Sequence, residues 1–381
     1  MSSSTGGGAP HDDRLALVRE ALGAPPAAYV RAPGRVNLLG GHVDYHEGTV
    51  VAMAIDRDVV VGVRPSSAAR VTVRSLDLSG TVDIAADGSI DARGVEPAWG
   101  RTVAGVVSAL ARAGRPSIGI DAVVSTNLAI GAGLSSSAAF EVAIALALAH
   151  AAEWTTDIRS LALACQQAEH DATGVPCGIQ DQLAALAGVA DHALVIDCRD
   201  LAIEALPLPP GVAVLVVHSG VPRTLEGSPW AARRAESEAA AAGLGLRVLR
   251  DASPAEVADH PRARHVVAEI ARVEAFTEAL RYGDVDALGE LMLAGHASLR
   301  DDMEVSTPEL DALVECLLEA GAFGARLTGG GFGGCAVALV PAERAPSIAE
   351  HASARYRARM HREPRPFLVR PASGAGILPT T

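Results

Sequence analysis

Apolar residues recur along this chain with two different periods, and the switches between them divide it into elements. Leu and Val fall at helical spacing from Arg14 to Leu22, until Pro25 and Pro26 interrupt the pattern. From Tyr29 to Val63 the alternation has period two on both sides of the turn-rich segment GGHVDYHEGT, residues 40–49, which predicts strand, turn and strand. Further strands are expected at Val71–Val73, Val82–Ile84 and Ile118–Val124, with a helix over Thr102–Ala113. The last of these strands runs into a glycine turn that opens a long apolar helix; helices over Asp157–Ala172 and from Ile179 follow.

Beyond strands at Ala193–Ile196 and Val212–Val217 the chain turns helical, with periodic segments at Pro229–Ala242, Pro261–Leu280, Val285–Ala297 and Pro308–Ala320. A glycine run, LTGGGFGG, then enters an apolar strand. Strands in runs and helices in runs predict an α+β protein of two domains, residues 14–205 and 206–381, meeting near residues 190–220. Residues 1–13 are small and polar and read as a disordered tail.

Of 381 residues, 49% are apolar, enough to bury a sizeable core. Arginine supplies all 32 basic side chains against 45 acidic ones, a net charge of −13 that opposes attraction to nucleic-acid phosphates and to anionic membrane surfaces. The absence of lysine excludes the P-loop lysine, the pyridoxal Schiff base and the protein-kinase ATP lysine. Any nucleotide bound here is held by backbone amides, hydroxyls, arginine and metal. Cys165, Cys177, Cys198, Cys316 and Cys335 are scattered without CxxC pairing, which reads as a protein of the reducing cytoplasm. The first residues lack the charged and apolar regions of a signal peptide, and Val142–Ala149 is far shorter than the roughly 18 residues that span a membrane.

Four segments carry candidate chemistry. Gly131-Ala132-Gly133-Leu134-Ser135-Ser136-Ser137 lies between a strand and a helix, where glycines allow close approach and free N–H groups and hydroxyls form an anion cradle. Three consecutive serines favour this over a plain capped turn. Thr328 to Cys335 contains five glycines between strongly apolar flanks, which favours a functional or packing loop over a linker. His42-Val43-Asp44 could be half of a metal site, although spacing alone favours a polar turn. Asp181, in Cys177-Gly178-Ile179-Gln180-Asp181-Gln182, falls in the first turn of a helix, where nothing local distinguishes a cap from a catalyst.

In this order the segments resemble the motifs of the GHMP kinases, and among them those of the galactokinase family. APGRVNLLGGHVDYHEG resembles the sugar-binding motif, IGAGLSSSAAFEVA the ATP loop, CGIQDQ the catalytic-aspartate segment and RLTGGGFGGCAVALV the third motif. SGVPRTLEGSPWAARRAE, HASLRDDMEVSTPELDALVE and PASGAGIL extend the likeness over nearly the whole chain from Val30. The resemblance implies a ribosomal-S5-like N-terminal domain and a ferredoxin-like C-terminal domain with the active site between them. It also implies a cytoplasmic, monomeric enzyme that uses ATP and Mg²⁺ to phosphorylate the anomeric O1 of a galacto-configured sugar, galactose first. Position by position, Asp181 takes or orients the O1 proton and Arg35 is the cation beside it. Ser137 and Glu169 match the Mg²⁺ ligands. Gly131, Ala132, Gly133, Leu134, Ser135 and Ser136, with Gly330 and Gly331, match the ATP-binding loops. Gly41, His42, Asp44, Gly178 and Trp230 match the sugar site.

Two departures bear on the sugar. The family's GEHTDY reads Gly40-Gly41-His42-Val43-Asp44-Tyr45 here, so the glutamate that contacts the C6 hydroxyl is replaced by Gly41. Trp230 stands where a tyrosine is usual and keeps only an N–H donor. A sugar without the C6 hydroxyl, L-arabinose, or with a carboxylate there, galacturonate, is therefore a second expectation. A non-catalytic sugar- and ATP-sensing regulator of the same family is a third, although the complete set Arg35, Ser137, Glu169 and Asp181 favours an enzyme.

Overall fold

The computed structural model describes residues 11–222 and 229–379. Helix α1 (His11–Leu22) starts earlier than the expected Arg14, and the tail before it lies outside the described residues. Arg14 turns inward, only 3% exposed, to pair with Asp58. A long antiparallel pair follows, β1 (Ala28–Leu39) and β2 (Thr49–Ser66), then β3 (Arg70–Ser75), β4 (Thr81–Ala85), α2 (Gly100–Arg112) and β5 (Gly119–Thr126). The glycine turn leads into α3 (Ser136–Ala151), and α4 (Ile158–Thr173), α5 (Gln180–Ala187), β6 (His192–Asp197) and β7 (Ile203–Pro207) complete the first half. In the second half β8 (Val212–His218) precedes α6 (Trp230–Gly243), α7 (Pro261–Tyr282), α8 (Val285–Asp301) and α9 (Pro308–Glu319). Then come β9 (Gly324–Leu327), β10 (Cys335–Pro341), α10 (Ala345–Met360), β11 (Arg365–Val369) and β12 (Gly376–Leu378).

The first sheet runs β12-β1-β2-β5-β3-β4, with β6 also on β2 and β7 beyond it; within it only β3 and β5 pair in parallel. The second is an antiparallel sheet in the order β11-β8-β10-β9. β7 crosses the expected 205/206 division and belongs to the first sheet, because its backbone pairs with β6. β12 returns from the far end of the chain to pair with β1, placing Leu378 opposite Tyr29.

α3 is apolar nearly all round because it lies between β1 and β2 on one side and α2, α4 and α5 on the other. Its one acidic residue, Glu141, is fully buried. α5 is short and is held from outside: Gly374 N–H donates to Gly188 O at 2.7 Å and Ala375 N–H to Ala185 O at 2.8 Å. All five cysteines are free thiols, and no helix among the described residues is long and apolar enough to cross a membrane.

Candidate active site

A cavity of about 270 Å³ opens between the two halves, lined from β1, the loop after it, the α3 start, α4, α5, α6 and the third glycine loop. Register shifts on either side of Arg35 and Asn37 interrupt the β1–β2 ladder, and such bulges re-aim side chains; both residues reach the cavity. Arg35 Nε–H donates to Asp181 Oδ1 at 2.8 Å, with Nη2 2.6 Å from the same oxygen, and Nη1–H donates to Gly133 O at 2.9 Å. Ser135 Oγ–H donates to Asp181 Oδ2. Ser135 precedes α3 in a left-handed conformation, φ 56°, and makes no side-chain cap bond; its hydroxyl is committed to Asp181. Asp181, in the first turn of α5, likewise spends its carboxylate on partners from β1 and the serine loop.

The loop after β1 forms the next wall. His42 accepts at Nδ1 from Tyr45 Oη at 3.0 Å and donates from Nε2 to Gly330 O at 3.2 Å. With both ring nitrogens engaged in this way, the turn reading of His42-Val43-Asp44 prevails over the metal reading. Thr328 Oγ1 accepts from Asn37 N at 2.9 Å and donates to Asn37 O at 3.1 Å, and Asn37 Nδ2 donates to Gln180 Oε1 at 2.6 Å. Three motifs distant in sequence are thus stitched together. Withdrawal from water, and then the charge of Asp181, pushes the Asp44 carboxyl up to about 6. Gly178 packs so closely on it that a Cβ would sit 1.7 Å from Asp44 Oδ2, which leaves glycine as the residue that fits. Trp230, 8% exposed, stands edge-on to Tyr45 at 5.9 Å and tilted to His42 at 6.3 Å.

On the opposite side, Gly131, Gly133, Ser135, Ser136 and Ser137 line the cavity, whereas Ala132 and Leu134 are buried behind it at 1% exposure each. Gly330 lines it together with Gly329; Gly331 lies behind, where a Cβ would meet Val305 O at 2.2 Å. Ser137 Oγ–H donates to Glu169 Oε1 at 3.2 Å. The Glu169 carboxyl is raised, chiefly by burial and against the opposing hydrogen bonds it accepts. Sequence reasoning missed its neighbours. Gln182, fully buried, donates both amide hydrogens, to Glu141 Oε2 at 3.1 Å and to Glu169 Oε2 at 3.0 Å. Among the described residues Glu141 Oε1 has no hydrogen-bond partner, and burial followed by the charge of Glu169 pushes Glu141 well up. The only advance signal was a single glutamate in an otherwise apolar helix.

A hydroxyl and a carboxylate side by side in an acidic pocket suit a hard divalent cation. Among the described residues no three His, Cys, Asp or Glu converge as a closed metal cage. By its donor chemistry the Ser137–Glu169 pair fits Mg²⁺, which commonly takes one or two protein ligands and completes its shell with phosphate and water. A second, apolar cavity of about 190 Å³ adjoins this side and shares Ser136 and Ser137 with the first. Leu78, Trp99, Ile130 and Phe140 are among its walls, with the two aromatic rings edge to face at 6.1 Å.

Residues 101–189 match the GHMP kinases N-terminal domain and residues 275–358 the GHMP kinases C-terminal domain, so the fold is that of a GHMP kinase. Residues 19–65 match the galactokinase galactose-binding signature, and a galactokinase from Roseiflexus sp. (strain RS-1) is 42% identical over 369 residues, covering 93% of this chain and 94% of that one. The chain belongs to the galactokinase family. A crystal structure of Lactococcus lactis galactokinase complexed with galactose superposes with a TM-score of 0.91 at 29% identity, over 96% of this chain and all of that one. Mevalonate kinase from Methanococcus jannaschii, at 19% identity and a TM-score of 0.66 over 91% of this chain and 98% of its own, shares the fold alone.

Proposed function

We propose that this protein transfers the γ-phosphoryl group of ATP to the anomeric O1 of galactose. The observation that carries the reading is the placement of Asp181: Arg35 and Ser135 hold its carboxylate in one cavity between Asp44 on the sugar-loop side and the serine loop on the phosphate side. In this reading Asp181 accepts or orients the O1 proton, while Arg35 balances its charge and that of the incoming phosphoryl group. The first-turn N–H groups of α3 and the glycine loops receive the phosphates. Ser137 and Glu169 would hold Mg²⁺, which neutralises phosphate charge when bound. The neighbouring apolar cavity, with Trp99 and Phe140, has the chemistry of a purine pocket. An ADP-release assay across galactose, L-arabinose, galacturonate, 2-deoxygalactose, glucose and N-acetylgalactosamine tests the proposal; turnover of none of them would refute it.

One observation favours L-arabinose as the second reading. Gly41 offers no side chain, its N–H is taken by Glu269 at 3.1 Å and its carbonyl by His265 at 2.9 Å. If position 41 faces C6, a sugar lacking that hydroxyl loses nothing there. Gly41→Glu should then raise the galactose to L-arabinose ratio of kcat/KM by about tenfold, the equivalent of one hydrogen bond. An unchanged ratio would remove this second reading.

A further inference from the structure

The loop Gly40-Gly41-His42 belongs to the first half of the molecule, yet its backbone is held by the second. Glu269, on α7, is fully buried and outside the cavity lining. Its Oε1 accepts from Gly40 N at 3.0 Å, from Gly41 N at 3.1 Å and from Arg326 Nη1 on β9 at 2.8 Å; its Oε2 accepts from Arg272 Nε at 2.8 Å. One turn earlier on the same helix, His265 donates Nε2–H to Gly41 O at 2.9 Å, and its Nδ1 lies 2.9 Å from Ser298 Oγ. Both polar groups of the Gly41 backbone therefore end on α7.

A buried carboxylate is costly unless paired and hydrogen-bonded, and Glu269 performs no step of the proposed reaction. Burial pushes its carboxyl up, but the charges of Arg326, His265 and Arg272 outweigh this and keep it ionised. Its geometric effect is specific. Gly40 turns in the left-handed region, φ 90°, where a Cβ would lie 2.7 Å from Val50 Cα, and one carboxylate oxygen receives the two successive N–H groups. The residues that follow are His42, which bridges Tyr45 and Gly330, and Asp44, which faces Asp181. Among the described residues Arg326, fully buried, keeps Nη2 without a hydrogen-bond partner, 3.0 Å from where a Cβ of residue 41 would stand, and its Nη1 donates to Glu269, the carboxylate that anchors this cation.

We propose that Glu269 is a positioning residue for sugar recognition: through the Gly40 and Gly41 N–H groups it fixes the loop that presents His42 and Asp44, and so ties sugar affinity to the docking of α7 and β9. The inference rests on the reading of this cavity as a sugar site. Its test compares the full-length wild type with Glu269→Gln and Arg272→Gln, measuring galactose, L-arabinose and ADP affinities by calorimetry. Glu269→Gln should weaken binding of the preferred sugar by about tenfold or more and leave ADP affinity within about twofold. Arg272 is half-buried and touches only Oε2, so Arg272→Gln should fold and weaken the sugar by about two- to fivefold. If Glu269→Gln fails to fold, the Arg272→Gln comparison decides. Wild-type sugar affinity in the folded variants, or equal losses for sugar and ADP, would overturn the inference. A wild type that binds ADP but neither sugar would overturn the sugar reading itself, and this inference with it.

Discussion

Asp181 illustrates why residue roles were only partly legible in the sequence. Its local context admits a helix cap, and the partners that decide otherwise, Arg35 and Ser135, lie 146 and 46 positions away. Asp181→Asn keeps the shape but removes the charge, and kcat should fall to below about a tenth of wild type with ADP affinity retained; higher activity would return Asp181 to the rank of a structural residue. Gly178→Ala should raise the sugar KM by about tenfold or more, because the new methyl would overlap Asp44. Asp44 itself makes a pH prediction. Its folded-state pKa, near 6, lies above the ordinary 3.8, so protonation favours the folded protein. That stabilisation is complete below about pH 4 and is lost as pH rises through about 6. Asp44→Asn should accordingly stabilise the sugar-free protein at pH 7.5 by on the order of 2 kcal/mol in urea unfolding while abolishing sugar binding. In wild type, kcat/KM for the sugar should fall as pH drops through about 6. A flat profile from pH 5 to 8 would contradict the placement of Asp44 on the sugar.

At the scale of elements, strong periodicity was readable and thin contrast was not. The long helices and the β1–β2 pair appear where the pattern placed them. β9 is only Gly-Ala-Arg-Leu, β12 only Gly-Ile-Leu, and the buried face of α10 is Ala345, Ile348, Ala352, Ser353 and Tyr356, too weakly apolar to stand out among its alanines and arginines. The contact among α3, α4 and α5 was equally invisible, because Glu141, Glu169 and Gln182 meet only after folding. Gln182 is the shared donor of two buried carboxyls. Gln182→Leu should cost about 2–4 kcal/mol in chemical unfolding, since a removed donor leaves acceptors unsatisfied out of water. A cost below about 0.5 kcal/mol would show that the two carboxyls are satisfied without it.

The whole molecule is closed by its last strand, which the sequence alone did not assign to the first sheet because pairing with β1 is a contact across nearly the full chain. Beyond β12 itself, Ala372 N–H donates to Ala54 O at 3.0 Å, and the bonds from Gly374 and Ala375 brace α5, the carrier of Asp181. Removing the chain from Pro371 onward should lower the Tm by several degrees and reduce kcat more than ATP affinity; an unaltered kcat would mean that α5 needs no brace. The two-domain GHMP architecture was legible because four long motifs occur in order, and galactose stood first among the expected sugars although Gly41 and Trp230 depart from the family pattern in the segments that resemble the sugar site. The central claim is phosphoryl transfer to O1, and NMR of the product formed from ATP and [1-¹³C]galactose tests it most directly. The wild-type product should show a phosphorus signal coupled to C1, and that signal should be absent with Asp181→Asn. A sugar phosphate whose phosphorus shows no coupling to the labelled C1, or the same product from the Asp181→Asn variant at wild-type rate, would contradict it.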